Sequence, residues 1–130
     1  MRKLALTLAL VFVLAATALI VACNIVPYAV ENISIYVIDA DGTKLVEISN
    51  KNFESNIVRD ILLAANDQLQ IPESELESGF IDTVAGIKTD WETDNKFWAF
   101  EINGEFSMLG IAQATVSNGD TITFTKTEGF

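Results

Sequence analysis

Side chains able to do chemistry are few in this 130-residue chain, and the narrowest of them is Cys23, its only cysteine. Histidine is absent altogether. That removes the commonest general base, the commonest transition-metal ligand and the usual pH switch together. Ser-His and Cys-His nucleophile pairs and zinc sites are excluded with it once Cys23 is committed elsewhere. Carboxylate-only catalysis remains formally open, but none of the 18 acidic residues is paired by spacing for it, so the expectation is a protein that is not an enzyme and carries neither metal nor cofactor. The segment Asp39, Asp41, Gly42 has calcium-loop residue types, yet the glycine comes too early for an EF-hand and no glutamate closes the loop, so a tight turn is expected.

What commits Cys23 is its position. Arg2 and Lys3 start the chain, residues 4–21 carry no charge, and Ile20-Val21-Ala22-Cys23 ends that segment on a small residue followed by cysteine. This order is that of an export signal. Its end resembles the bacterial lipobox, which implies cleavage before a diacylated Cys23. The domain boundaries that follow are 1–22 as lipoprotein signal peptide, 23–31 as lipid-anchored tether and 32–130 as the folded domain. The alternative is an uncleaved anchor, since residues 4–21 approach the apolar length that spans a bilayer. Both place the domain outside the cell, held at the membrane, and a lipidated Cys23 cannot form a disulfide, so the fold must rest on its core alone. The tether reaches at most ~25–30 Å.

Cleavage leaves 108 residues, one domain of ordinary size. It also removes two of eight basic residues, leaving six against 18 acidic ones and a formal charge of −12. Such a chain is repelled by nucleic acid and favours neutral or cationic ligands, although acidity also serves solubility.

The elements that must position any site follow from periodicity. Residues 32–38 alternate with Ile33, Ile35 and Val37 on one face, Asp41-Gly42 marks a turn, and 43–48 return, which is a β-hairpin. Ser55 is placed to cap a helix whose apolar residues Val58, Ile61, Leu62, Ala65 and Leu69 recur every three or four positions until Pro72. Glu73, Glu75 and Glu77 read as a solvated acidic loop, 80–87 as a third strand, and 88–95 as a polar loop holding Trp91. Residues 97–102 alternate so that Trp98, Phe100 and Ile102 share a face, and Asn103-Gly104 is a strong hairpin signal before 105–108. A turn at 117–120 leads to a last strand, 121–125, with Ile122 and Phe124 inward. The order β-β-α-β-β-β gives an α+β class, a mostly antiparallel sheet with one packed helix in a β-grasp-like arrangement.

The run Val58-Arg59-Asp60-Ile61-Leu62, then 80–87, then Trp98-Ala99-Phe100-Glu101-Ile102-Asn103-Gly104-Glu105, Gly110-Ile111 and finally 118–124 resembles the transcobalamin-like C-terminal domain family, DUF4430. The resemblance covers about 33–124. It implies a domain that closes over cobalamin in vertebrate transport proteins, there against a helical domain that this chain lacks. A corrinoid is the ligand it implies. Without imidazole such a ligand would be held by its ring face, amides and nucleotide tail. Trp91, Asn103, Gly104, Phe106 and Met108 offer aromatic surface beside amide groups, provided loop and hairpin lie at the same end of the sheet. The competing reading makes Asn103-Gly104 a turn requirement and Phe106 and Met108 core. Two functions remain: a surface lipoprotein binding a small amphipathic ligand for uptake or hand-over to a transporter, or an interaction or adhesion module contacting an envelope protein.

Overall fold

The computed structural model describes residues 28–129. The signal segment 1–22, Cys23 and residues 24–27 of the tether lie outside the described residues. Two long strands open the domain, β1 (Val30–Ile38) and β2 (Lys44–Phe53), joined at Asp41-Gly42. Asp39 closes that turn by accepting from the Gly42 amide at 2.9 Å, and Gly42 has φ 89°, which glycine adopts without steric cost. The closing strand β7 (Thr121–Glu128) pairs in parallel with β1 and antiparallel with β5 (Lys96–Ile102). With β6 (Glu105–Phe106) at the margin, the sheet order is β2-β1-β7-β5-β6. A central parallel pair flanked by antiparallel neighbours is the grasp-like α+β arrangement that the alternation implied. The first and last strands can run in parallel because the whole intervening chain serves as the crossover.

One face of this sheet is sealed. Ile33, Ile35 and Val37 from β1 and Ile122 and Phe124 from β7 are buried, as is Trp98 from β5, and they meet Val58, Ile61 and Leu62 of α1 (Val58–Ala64). Phe100 stacks on Phe124 at 5.5 Å between centroids. The opposite face carries Thr121, Thr123, Thr125 and Thr127 along β7, in keeping with the outward threonines of the alternation.

Five local expectations are corrected. The single helix to Pro72 is broken at Ala65 into α1 and α2 (Asn66–Leu69), because Ala65 sits at φ −99°, ψ 8°, and Gln70 ends α2 in the left-handed region at φ 50°. Asn66 closes the end of α2: its side chain donates to the Ile71 carbonyl and accepts from the Ile71 amide, both at 2.9 Å. Ser55 is not the cap. Ile57 holds that position, and Ser55 instead accepts from the Ile57 amide at 3.1 Å and donates to Asp60 at 2.8 Å. The acidic stretch is helical, α3 (Glu73–Ser78), with Leu76 buried beneath it and Gly79 at φ 84° ending it. The third strand contracts to a separate two-stranded hairpin, β3 (Thr83–Val84) and β4 (Ile87–Lys88), because Ala85 and Gly86 both take positive φ and fold 80–87 back on itself. The polar loop after it includes one helical turn, α4 (Trp91–Asp94), capped by the Asp90 carboxylate.

Candidate functional site

The hairpin after β5 is built by its two turn residues. Asn103 at φ 53° and Gly104 at φ 81° both occupy the left-handed region that a two-residue turn of this twist requires. Asn103 also ties the turn to the start of β7: its amide donates to the Thr121 carbonyl at 2.8 Å, its side-chain oxygen accepts from the Thr121 amide at 2.9 Å, and its Nδ2 donates to Asp120 at 2.9 Å. Both ends of the Asn103 carboxamide are therefore engaged in the fold. A ligand at this tip would meet the Gly104 backbone and the remaining Nδ2 proton.

Beyond the turn the chain turns apolar and outward. Phe106 is 63% exposed, Met108 95% and Leu109 56%. Phe106 pairs with Glu101, which puts its ring on the sheet face away from the helices and removes it from the core. Ser107 continues the pairing by donating to the Phe100 carbonyl at 3.1 Å, and its hydroxyl is engaged with Leu109, donating to the carbonyl at 2.8 Å. The backbone is hydrogen-bonded at Phe106, Ser107 and Leu109 while the three apolar side chains are largely exposed. Leu109 extends the patch that its neighbours define; an apolar pair ahead of Gly110 is the only sequence signal for it, and a buried strand end gives the same signal.

Trp91 is not part of this group. β5 starts at Lys96, paired with Glu128, and ends at Ile102, paired with Ile122, so its two ends are about 20 Å apart. Trp91 sits at the Lys96 end, edge-on to Phe97 at 5.8 Å, with its ring so close over Gly129 that a β-carbon there would collide with it. The Gly129 amide donates to the Asn95 carbonyl at 2.7 Å, so Trp91 clasps the end of β7 while half its surface stays exposed. The structure joins Asn103, Gly104, Phe106 and Met108 at one end and leaves Trp91 at the other. Trp98 is buried and donates its ring N–H to the Ile87 carbonyl at 3.0 Å, pinning the small hairpin to the sheet.

The hairpin end is also where the chain enters the domain. The Glu31 amide donates to the Asn118 side chain at 2.9 Å, the Gly119 amide to the Glu31 carbonyl at 3.0 Å, and the Ser34 amide to the Asp120 carbonyl at 3.2 Å. Tether, 117–120 turn and Asn103-Gly104 tip thus share one end of the sheet. Among the described residues no group of three or more acidic, cysteine or histidine side chains is arranged to hold a metal ion, and no helix is long and apolar enough to cross a membrane.

Fold and site together define a small grasp-like α+β domain whose distinguishing surface is an apolar hairpin margin. Two solved structures share its fold. A candidate metal-binding protein of Ruminococcus gnavus aligns with TM-score 0.62 and 24% identity, over 77% of this chain and 99% of its own. Haptocorrin in complex with Cbi aligns with TM-score 0.57 and 15% identity, over 82% of this chain. The chain spans about a quarter of haptocorrin, 27% of its length. No curated protein matches. The family model of DUF4430, a domain of unknown function, matches residues 55–128, and the chain belongs to that family. The matched span runs from just before α1 through the end of β7, so it contains the hairpin and every helix among the described residues.

Proposed function

We propose that this chain is a bacterial lipoprotein, anchored outside the cell through Cys23, whose domain binds a small amphipathic ligand at the Asn103-Gly104 hairpin and hands it on. The observation that carries this reading is the exposure of Phe106, Met108 and Leu109 within four residues of the hairpin strand, in a chain of net charge −10. Scattered apolar side chains are ordinary on a surface; three within four residues form a patch that a ligand can cover. The specific ligand class is a corrinoid, whose ring presents apolar faces and whose periphery is rich in amides. Haptocorrin, with the same fold, holds Cbi, which supports the choice. Binding rather than catalysis fits a chain without histidine. With Cys23 lipidated, no more than six residues separate the anchor from Ala29, about 20 Å of chain, so the ligand would be received close to the membrane.

Calorimetric titration of the detergent-solubilised full chain with cyanocobalamin and with cobinamide tests this. Saturable binding at micromolar or tighter affinity is the expected result, and dilution heat alone with both ligands would reject it. The second reading is an interaction module, favoured by β2: ten residues at the sheet margin, with Leu45, Glu47 and Ser49 exposed. An open edge of that length can pair with a strand of an envelope partner. Lys44 and Lys51, together with the register irregularities between β1 and β2, blunt it.

A further inference from the structure

A cavity lined by no hairpin residue lies at the opposite, β2 edge of the sheet. It is a solvent-open groove of about 540 Å³ where the end of β2 meets α1. Tyr28 and Phe53 supply aromatic surface, Ile61 and Ala64 the aliphatic wall, and Glu54 and Asp60 two carboxylates. The fold fixes these positions. Tyr28 is held beside Phe53 because the next amide, Ala29, donates to the Phe53 carbonyl at 2.9 Å. Asp60 is oriented by the Ser55 hydroxyl, which donates to its Oδ2 at 2.8 Å. Among the described residues no lysine or arginine lines this groove. An adjoining cavity of about 170 Å³ shares Asn52, Phe53 and Ala64 with it and is lined by Lys51.

We propose that this groove binds an organic cation, an ammonium group on an apolar body. The charge complementarity selects it: two carboxylates, with no basic side chain among the described residues lining the groove itself, repel anions, and aromatic walls beside them attract a cation to their faces. An inorganic cation is disfavoured, because two exposed carboxylates supply too few oxygens for a hard ion and the aromatic walls supply none. The volume lies in the range that small-molecule sites occupy. Lys51 sets the polarity of the ligand, with the ammonium at Glu54 and Asp60 and the apolar body toward Ala64 and Phe53. The site is separate from the hairpin and requires neither lipidation nor a corrinoid.

The test is a titration of the ¹⁵N-labelled full chain in detergent with benzyltrimethylammonium, against benzenesulfonate as the anion of similar shape. Saturating amide shifts at Phe53, Glu54, Ile61 and Ala64 are expected with the ammonium alone. Glu54→Gln, at an exposed position past β2, should weaken that binding about two- to fivefold, the range of an exposed charge pair, and adding Asp60→Asn should weaken it further. Shifts at the groove that do not saturate, equal binding of benzenesulfonate, or an affinity that Glu54→Gln leaves unchanged would each overturn the proposal.

Discussion

Replacing Glu75 with alanine should destabilise the domain far more than loss of a surface charge. Its Oε1 accepts from the amides of Asp82 at 2.6 Å and Thr83 at 2.7 Å, and its Oε2 from the Thr83 hydroxyl at 3.0 Å. One carboxylate on α3 thereby satisfies two backbone donors at the start of β3. Hydrogen bonds to a charged acceptor contribute about 1.5–3 kcal/mol each when shielded from water. Glu75 and Thr83 are half-buried and Asp82 is exposed, so water recovers part of each. A total of roughly 2–3 kcal/mol follows, or a melting temperature lower by roughly 10–20 °C for a domain of this size. Glu75→Gln separates shape from charge. Its carbonyl oxygen can still accept both amides and the Thr83 hydroxyl can turn to accept from Nε2, so the expected loss is only about 1 kcal/mol. The assay is denaturant unfolding of the full chain followed by tryptophan fluorescence, with m-values compared. An alanine variant within about 0.5 kcal/mol of wild type would refute the argument and return Glu75 to the role of a solvated surface charge. So would a glutamine variant as unstable as the alanine one.

Further outcomes follow from the same geometry. Trp98→Phe removes the donor to the Ile87 carbonyl and leaves a small void, and should cost about 2–3 kcal/mol in denaturant unfolding, against under about 1 kcal/mol for Trp91→Phe, whose ring is half exposed. Thr43, through its backbone amide first and its hydroxyl second, holds the Asp41 carboxyl below its ordinary value of 3.8. The sign is therefore that of an acid-side loss: the contribution of Asp41 is complete above 3.8 and disappears as pH falls through the lower folded-state value. Asp41→Asn should flatten the acid limb of a stability–pH profile, and an unchanged limb would contradict this. Phe106→Ala with Met108→Ser should leave the melting temperature nearly unmoved, because those side chains are 63% and 95% exposed. Covering the exposed part of Phe106 removes roughly 100 Å² of apolar surface, so cobinamide affinity should fall at least about tenfold in the double variant.

The sheet was legible because its signals are local and mutually consistent. Alternation at Ile33, Ile35 and Val37 and at Ile122 and Phe124 identifies core faces, and Asn103-Gly104 names its own turn. The helical region was harder. Apolar spacing from Val58 to Leu69 is equally satisfied by one helix and by two; the break lies in the backbone at Ala65, and the Asn66 side chain then bonds to Ile71 around the end of the second helix. The strand at 80–87 failed for a related reason: alanine at positive φ is uncommon, so Ala85-Gly86 does not announce a turn, yet the Ala85 amide is pulled there by the Leu69 carbonyl at 2.7 Å. Tertiary contact overrides local preference at Ala85, and a local side-chain bond does so after Asn66. For the candidate site the sequence supplied residue types, and only the register of β5 on β7 could show that Trp91 and the hairpin stand at opposite ends. The groove at Tyr28 and Asp60 joins residues 32 positions apart, and no spacing rule links them.

Hydrogen–deuterium exchange of the full chain with and without saturating cobinamide tests the ligand-binding proposal most directly, because it reads place as well as affinity. Protection confined to the Asn103–Leu109 region, with the Trp91 end unchanged, is the predicted result. Protection that falls on the Trp91 end, or none anywhere, would contradict it.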